Sequence, residues 1–540
     1  MVRECWRVVS TKGRPLAACL FLFMPACLCV PYYSCVGAQV CLYSRSGEQG
    51  CPLLPGMKVR IRTIVSMQKT PGTDDTHGSI GAVILAAGKG TRMKSARPKV
   101  LHELLGLPML WYVHTAVEAV VHPCRQWTVV GFGRDQVHRA CTGYEGHFIH
   151  QDQQLGTGHA VQMAWPAVQE SGCEWCLVLN GDVPLIRADT LSQLAGLCQE
   201  QGAVLGFASI EPEDPSGYGR VVRHSDKSVA AVVEEKDLAD PVAGSWLTEV
   251  NAGLYCLHVP SIGRLLQQLS RNNAQGEYYI TELIDLCVQA GLRVEAVNCG
   301  RDSAFLGVNS PGELVACEGL LQERINAQLL EDGIILRNRD QVRISPQARI
   351  QPGVEIAGPA EIYGPSCIDA DARIGSHVWL KDVRIGPGAE IKEFSHIDQA
   401  RVDAGCQVGP FARLRPGTHL KAQARVGNFV EVKKAVLEAG CKANHLAYLG
   451  DAHVGEGANI GAGTITCNYD GRRKHATVIG EHAFIGSNTA LIAPVTIGRN
   501  SIVGAGSAVS KDVPDNTLAV TRAKQKNLPR RSGPAKDEES

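Results

Sequence analysis

Residues 344–380 read ISPQARIQPGVEIAGPAEIYGPSCIDADARIGSHVWL, and every sixth position is apolar: Ile344, Ile350, Ile356, Ile362, Ile368, Ile374 and Leu380. The beat resumes at Ile385, Ile391 and Ile397, slips by one residue to Val402, and continues through Val408, Leu414, Leu420, Val426 and Val432. A last run reads Ile479, Ile485, Leu491, Ile497, Val503, Val509. A helix repeats near 3.6 residues and a simple strand near 2, so neither produces this spacing. A parallel β-helix does: each hexad is one short strand plus a turn, and stacked coils bury a continuous apolar column. Turn residues follow the beat, as in Ile385-Gly-Pro-Gly and Ile497-Gly-Arg-Asn.

The chain has 540 residues, more than one core usually supports, so several domains are expected. Basic and acidic residues balance, 54 against 54, which gives no electrostatic case for a nucleic-acid or membrane partner. Of 20 cysteines, seven lie in the first 51 residues; the rest are scattered singly along apolar stretches. Cys173 and Cys176 form a lone CxxC in a strand-like segment, so reduced thiols in a cytoplasmic protein are expected.

Residues 1–79 read as an atypical extension. Arg3, Arg7, Lys12 and Arg14 precede an apolar run from Leu16 to Val30, broken by Pro25. The run is short of the roughly 20 residues a membrane span needs and resembles a signal-peptide core. The favoured alternative is a reading frame extended upstream of Met57 or Met67, leaving a disordered segment. Residues 80–310 alternate apolar strands with helical stretches, the pattern of a parallel sheet covered by helices. Strands are expected at Ala82–Ala86, Trp127–Gly131, Trp175–Leu179 and Ala203–Ser209. Residues 311–335 read as a helical linker, 336–520 as the β-helix domain, and 521–540 as a loose polar tail.

The first strand runs into LAAGKGTRM (Leu85 to Met93), followed by Pro98-Lys99. Two glycines let backbone N–H groups approach an anion, and Arg92 and Lys99 add fixed positive charge. Met93 stands where the dinucleotide fingerprint has its third glycine, and GK[ST] does not follow at the Walker spacing. Asp182, just beyond an apolar strand, lies at the carboxyl edge where open α/β sheets bind ligands, and a metal role is expected of it.

These motifs resemble the signature of sugar-1-phosphate nucleotidyltransferases. Others follow in order: QQLGTGHA (Gln153 to Ala160), NGDVPL (Asn180 to Leu185), GYGR (Gly217 to Arg220), VEEKD (Val233 to Asp237), VNAG (Val250 to Gly253), GEYYITEL (Gly276 to Leu283) and GVN (Gly307 to Asn309). The resemblance implies a Rossmann-like, mostly parallel sheet and a magnesium ion held by Asp182 and Asn309. It implies that Leu85, Ala86, Ala87, Gly88, Lys99, Asn180 and Gly181 meet UTP, with Gln151, Gly156 and Thr157 at uracil. Gly219, Glu234, Asn251 and Asn309 would surround the sugar nucleotide. Asn180 departs from members that carry Tyr before the Gly-Asp pair. A sugar-1-phosphate oxygen must attack the α-phosphorus of a triphosphate, so two anions have to meet; magnesium, Arg92 and Lys99 would neutralise that repulsion.

Two places are expected to interrupt the six-residue rhythm: Ala435 to Leu449, containing NHLAY, and the polar insertion CNYDGRRKHA (Cys467 to Ala476). With RLRPG (Arg413 to Gly417), NFVEVKK (Asn428 to Lys434), NIGAGTITCNYDG (Asn459 to Gly471) and APVTIG (Ala493 to Gly498), the chain from about Ile80 to Arg522 is similar to bacterial bifunctional N-acetylglucosamine-1-phosphate uridylyltransferase / glucosamine-1-phosphate acetyltransferases. The resemblance implies that His445 is the general base that deprotonates the substrate amine during attack on the acetyl-CoA thioester. Arg415, Lys433, Tyr448 and Lys474 would bind the sugar phosphate, and Asn459 the sugar. Ala462, Asn468, Tyr469, Ser487, Ala505 and Arg522 would meet acetyl-CoA.

The family further implies a left-handed β-helix, a homotrimer, small-molecule substrates (UTP, glucosamine-1-phosphate, N-acetylglucosamine-1-phosphate, acetyl-CoA), a cytoplasmic setting and a place in peptidoglycan and lipopolysaccharide precursor synthesis. Two rivals stand beside it: a nucleotidyltransferase with a purely structural β-helix, and a scaffold of the same layout. His445 with the CNYDG loop argues against the first; intact Arg92, Lys99, Asp182 and Asn309 argue against the second.

Overall fold

The computed structural model describes residues 80–238 and 247–529, and the N-terminal extension read from the sequence lies outside them. The α/β region is built on strands β1 (Ile80–Ala86), β2 (Glu103–Leu104), β3 (Leu107–Pro108), β4 (Gln126–Val130), β5 (His147–His150), β6 (Trp175–Asn180), β7 (Leu205–Ile210), β8 (Arg220–Arg223), β9 (Val229–Val233), β10 (Val250–His258) and β11 (Val294–Asn298). The main sheet runs β11-β7-β10-β6-β1-β4-β5, with the β8–β9 hairpin on β10 and β2–β3 as a separate pair. β10 runs antiparallel to both neighbours, while β6, β1, β4 and β5 are parallel. β1 reads IGAVILA and is almost wholly buried, as expected of a central strand covered on both faces. Its alternate residues feed two cores: Ala82, Ile84 and Ala86 join one, and Val83 joins the other.

The helix Pro311–Glu331 starts from a capping box. Ser310 Oγ accepts from the Glu313 N–H at 3.3 Å, and Glu313 Oε2 accepts from the N–H groups of Ser310 (2.8 Å) and Asn309 (2.5 Å). The cap therefore also fixes Asn309. At its far end the helix docks on the first coil through buried amides. Gln322 Oε1 accepts from the Ile344 N–H, and Asn326 Nδ2 donates to the carbonyls of Arg339 and Val342. Both amides are satisfied, so their burial costs little.

The remainder is a parallel β-helix of three sheets with 11, 10 and 9 strands. Register pairs Ile344 with Ile362 and Ile350 with Ile368, so one coil of three hexads spans eighteen residues. The interior is the column of periodic aliphatic residues read from the sequence, nearly all fully buried. Beyond the first coil, where Leu336 to Ile344 takes eight residues, every departure from the six-residue beat falls at one corner, between the second and third sheets. Four passages there take five residues: Leu380 to Ile385, Ile397 to Val402, Val432 to Leu437 and Leu449 to Val454. One takes thirteen, Thr466 to Ile479, and carries the CNYDG insertion. From Ile344 onward the other two corners keep step.

This corrects one sequence expectation. Ala435 to Leu449 is not an interruption: Leu437, Ala443 and Leu449 hold the three inward positions of an ordinary coil. The rhythm looked broken because Ala443 replaces a larger aliphatic residue and the preceding corner is one residue short. The tail also begins later than expected. Thr521 Oγ1 and the Ala508 N–H are 2.8 Å apart, and Arg522 Nη1 donates to the Ala505 carbonyl at 2.7 Å.

Between the first and second sheets the coils from Ile374 onward turn through a left-handed residue, and at His377, Phe394, Phe411 and Phe429 the side chains stack. Ring centroids are 4.6, 4.8 and 5.3 Å apart along this ladder. The phenyl rings are exposed, and the next residue in the column is exposed Leu446.

Candidate active sites

The loops after β1, β5 and β6 meet at the carboxyl edge of the sheet, where parallel α/β folds collect ligands. They enclose a cleft of about 410 Å³ lined by Leu85, Ala86, Ala87, Gly88, Lys89, Gly90, Lys99, Gln151, Gln154, Gly156, Thr157, Asn180, Asp182 and Glu277, among others. Gly88 faces open space, leaving the backbone free to meet a ligand. Gly90 has φ of 62°, and a Cβ there would lie 2.6 Å from the Lys99 Cβ, so glycine lets the lysine stem pass beneath the loop.

Lys99, Asp182 and Asn309 come from three distant parts of the chain and meet at one nitrogen. Lys99 Nζ pairs with Asp182 Oδ2 and donates to Asn309 Oδ1 at 2.6 Å. The Val308 N–H donates to the Asp182 carbonyl at 2.9 Å, binding the Gly307–Asn309 loop to the end of β6. Two oxygens thus share one cation position, half-buried and ringed by carboxamide and carboxylate donors, which suits a hard divalent ion. Arg92 behaves differently: it is exposed on the turn Thr91–Met93, without a side-chain partner among the described residues and outside the cleft lining.

Gln151 is buried, its Nε2 donating to the Gly156 carbonyl at 3.1 Å and lying 2.9 Å from His159 Nδ1. The loop carrying Gly156 and Thr157 is laced to the GEYYITEL segment. The Gly158 N–H donates to the Tyr278 carbonyl at 2.8 Å and the Ile280 N–H to Thr157 Oγ1 at 3.2 Å. A second cluster joins Gly219, Glu234 and Asn251. The Asn251 N–H donates to the Gly219 carbonyl at 2.8 Å, and Thr281 Oγ1 donates to Glu234 Oε1 at 2.9 Å. Burial pushes the Glu234 carboxyl above its ordinary range, against the Thr281 hydrogen bond. Asn180 lies against Gly253, where a Cβ would come within 2.6 Å of its amide nitrogen. Gly181 is held by its N–H to the Leu85 carbonyl at 2.9 Å.

On the β-helix, His445, Ala462, Ser487 and Ala505 hold one position on successive coils, two residues beyond inward Ala443, Ile460, Ile485 and Val503. Coils stack about 4.8 Å apart, so this line is roughly 14 Å long. Below His445 the adjoining column is the aromatic ladder; above it the column is Gly463, Asn488 and Gly506. The corner therefore changes from a bulky ridge to a shallow track at His445, and Arg522 closes the far end on Ala505. His445 is exposed and has no side-chain partner among the described residues. A Cβ at Gly427 would collide with the Asn444 backbone, so glycine there allows the coils beside His445 to close.

Arg415 and Lys433 are register neighbours of one column, and the insertion brings Lys474 to them. The Lys474 contact, then the charges of Arg415 and Lys474, hold the Lys433 ammonium below the usual lysine range. Arg415 Nη1 donates to Glu431 Oε1 at 2.9 Å. Tyr448 is the register neighbour of Glu431 on the same outer face, and Asn459 that of Lys442. Asn468 is buried with Nδ2 donating to Asp451 Oδ2 at 2.5 Å, and Tyr469 beside it is exposed. Asp470 nucleates the loop by accepting from the N–H groups of Arg473 (2.6 Å) and Arg472 (2.7 Å) and pairing with His475.

Several residues join these sites without having been singled out from sequence: His159 on Gln151, Thr281 on Glu234, Glu313 on Asn309, and Asp451 on Asn468. Tyr218 is another, its phenol bonded to the Gly307 backbone near Asp182. His159, Tyr218 and Thr281 lie inside quoted motifs, which was the available signal.

A family model for the MobA-like NTP transferase domain matches residues 82–252, and one for the bacterial transferase hexapeptide (six repeats) matches residues 476–511. Fold and sites define a class: a nucleotidyltransferase domain followed by a left-handed β-helix of hexapeptide repeats with acyltransferase chemistry. The chain is 52% identical over 448 residues to the bifunctional protein GlmU of Oleidesulfovibrio alaskensis, spanning 83% of this chain and 97% of that one. Identity to the protein of the same name from Nitratidesulfovibrio vulgaris is 52% over 451 residues (84% and 98% covered). To that of Acinetobacter baylyi it is 42% over 443 residues (82% and 96%). The chain belongs to the bifunctional GlmU family. Its two reactions are acetyl-CoA-dependent N-acetylation of glucosamine-1-phosphate and transfer of UMP from UTP to N-acetylglucosamine-1-phosphate, releasing pyrophosphate. The nucleotidyl transfer requires a divalent metal. No helix among the described residues is long and apolar enough to cross a membrane.

Proposed function

We propose that uridylyl transfer takes place in the α/β cleft and acetyl transfer along the β-helix corner, each with its own set of residues. The observation that carries the first assignment is the meeting of Asp182 and Asn309 on one Lys99 ammonium. Those two oxygens would hold magnesium, which when bound neutralises the triphosphate and the departing pyrophosphate. The backbone from Leu85 to Gly88 receives the phosphates, with Lys99 beside them to supply positive charge. Asn180 and Gly181 border the nucleotide; Gln151, Gly156 and Thr157 take the base; Gly219, Glu234 and Asn251 take the sugar. Arg92 approaches from solvent once the anions are present, consistent with its lack of a side-chain partner among the described residues.

In the second site Arg415, Lys433 and Lys474 take the sugar phosphate, with Tyr448 and Asn459 on the sugar. The amine nitrogen attacks the thioester carbonyl carbon and passes a proton to the His445 imidazole; the carbon–sulfur bond breaks and the CoA thiolate leaves. The track of Ala462, Ser487 and Ala505 offers a narrow carrier arm a path of about the right length, with Arg522 for a CoA phosphate. Asn468 and Tyr469 stand at the thioester end. This reading includes a homotrimer, supported by the exposed aromatic ladder and the half-open track, and a cytoplasmic setting where UTP and acetyl-CoA are supplied. The test is a pair of assays on single variants: pyrophosphate release from UTP and N-acetylglucosamine-1-phosphate, and thiol release from acetyl-CoA and glucosamine-1-phosphate. Loss of pyrophosphate release in His445→Ala, or of thiol release in Asp182→Asn, would sink the division.

A further inference from the structure

We propose that His159 is a positioning residue for base selection: with the Gly156 carbonyl it locks the Gln151 carboxamide so that its oxygen meets the nucleotide base. The inference rests on the assignment of the uridylyl reaction to the α/β cleft and adds to it a reason for choosing uracil over cytosine.

An amide has one end that donates and one that accepts, and its orientation is set by its neighbours. The Gly156 carbonyl can only accept, so the atom 3.1 Å from it is the Gln151 nitrogen. The second hydrogen of that nitrogen points at His159 Nδ1, 2.9 Å away, which accepts it when the imidazole carries its proton on Nε2. Both amide hydrogens are then used. Oε1 has no protein partner among the described residues, is not one of the occluded unpaired atoms, and belongs to a side chain lining the cleft. The N–H groups of Gly156 and Thr157, at the start of the helix Thr157–Glu170, likewise have no partner among the described residues.

The base edge of the cleft thus offers one acceptor beside backbone donors. Uracil presents the complement, an N3–H donor next to the O4 acceptor. Cytosine presents the reverse, an N3 acceptor next to an amino donor. A site whose buried polar groups would be left mispaired discriminates strongly. His159 does not line the cleft; it sits behind Gln151 on the helix Thr157–Glu170, its ring 6.1 Å from that of Tyr278. Its effect on the base is therefore exerted through the amide. Without it, one amide hydrogen loses its acceptor and the group is free to swing, so that nitrogen as well as oxygen can face the base.

The experiment uses the full chain with magnesium and N-acetylglucosamine-1-phosphate, following pyrophosphate release from UTP or CTP, and titrates both triphosphates to obtain Kd. Acetyl transfer by the same preparation reports folding. His159→Ala should lower the UTP-to-CTP ratio of kcat/KM at least about tenfold, the worth of one mispaired buried polar group, with acetyl transfer unchanged. His159→Asn, whose Oδ1 can stand where Nδ1 stands, should recover most of that ratio. An unchanged ratio in His159→Ala would overturn the proposal. So would equal weakening of both nucleotides, in turnover or in Kd, because that is what a merely structural histidine predicts. Absence of any UTP turnover in the unaltered chain would instead overturn the assignment of the cleft, and the proposal with it.

Discussion

In the α/β cleft the Lys99 ammonium already rests on two oxygens, Asp182 and Asn309. On the β-helix Arg415, Lys433 and Lys474 crowd one another, with Glu431 serving Arg415. On the proposed assignment both regions receive a phosphate, but they hold positive charge in opposite states. In the cleft the lysine is neutralised at rest, and Asp182 with Asn309 would hold a divalent cation that supplies the charge a triphosphate needs. On the β-helix Glu431 answers only Arg415 of the three, and a dianion would relieve the rest. One site is expected to need a metal; the other is complete in side chains. The scaffolds account for the contrast. Loops at the edge of a sheet converge from distant parts of the chain and can interleave acid with base, whereas the coils set Arg415 next to Lys433 and the inserted loop adds a third cation, Lys474.

The comparison can be broken from either side. The largest effect is expected at His445, where His445→Ala should reduce acetyl transfer by about 10² to 10⁴ and leave uridylyl transfer within a factor of about two. Thiol release and pyrophosphate release on the same preparation check it. Next, Asp182→Asn should lower uridylyl transfer by about 10² to 10³ with acetyl transfer intact, and chelation with EDTA should stop the first reaction and spare the second. If EDTA also stopped thiol release, the contrast between a metal-dependent cleft and a self-sufficient coil surface would fail. A smaller change is expected for Lys474→Ala, which should raise KM for glucosamine-1-phosphate about tenfold with kcat little altered.

The smallest effect concerns Asp470, whose carboxyl the Arg473 N–H, then His475 and the Arg472 N–H, hold well below the ordinary carboxylate range. A depressed carboxylate contributes order above its unfolded pKa and loses that contribution as pH falls through the folded value. Amide exchange in residues 469–475 should therefore stay slow as pH drops through the ordinary carboxylate range and quicken only below it. Asp470→Asn should remove that protection at all pH values and lower acetyl transfer a few-fold.

The β-helix was legible because every inward residue is apolar and the spacing hardly varies from Ile344 to Leu380. What sequence did not reveal was that the irregular passages after the first coil share one corner, since which corner a residue belongs to is known only when coils are counted in register. Ala443 shows the cost: a small inward residue was read as an interruption. Arg415 and Lys433 lie one coil apart, so their meeting follows once the coil length is known, but Lys474 joins them only through the folded insertion. In the cleft, strand positions were read to within a residue or two, and the edge rule pointed to Asp182. The bond from Glu313 to the Asn309 N–H and the His159 contact to Gln151 were beyond reach. Both depend on how a loop closes against its neighbour, not on residue pattern.

The central claim is that each domain carries a complete reaction of its own. The most direct measurement mixes His445→Ala with Asp182→Asn in equal amounts and supplies glucosamine-1-phosphate, acetyl-CoA, UTP and magnesium. Either variant alone should make UDP-N-acetylglucosamine only at its residual rate, about 10² or more below the unaltered chain. The mixture should make it after a lag in which free N-acetylglucosamine-1-phosphate accumulates. A mixture as inert as its components would contradict the account.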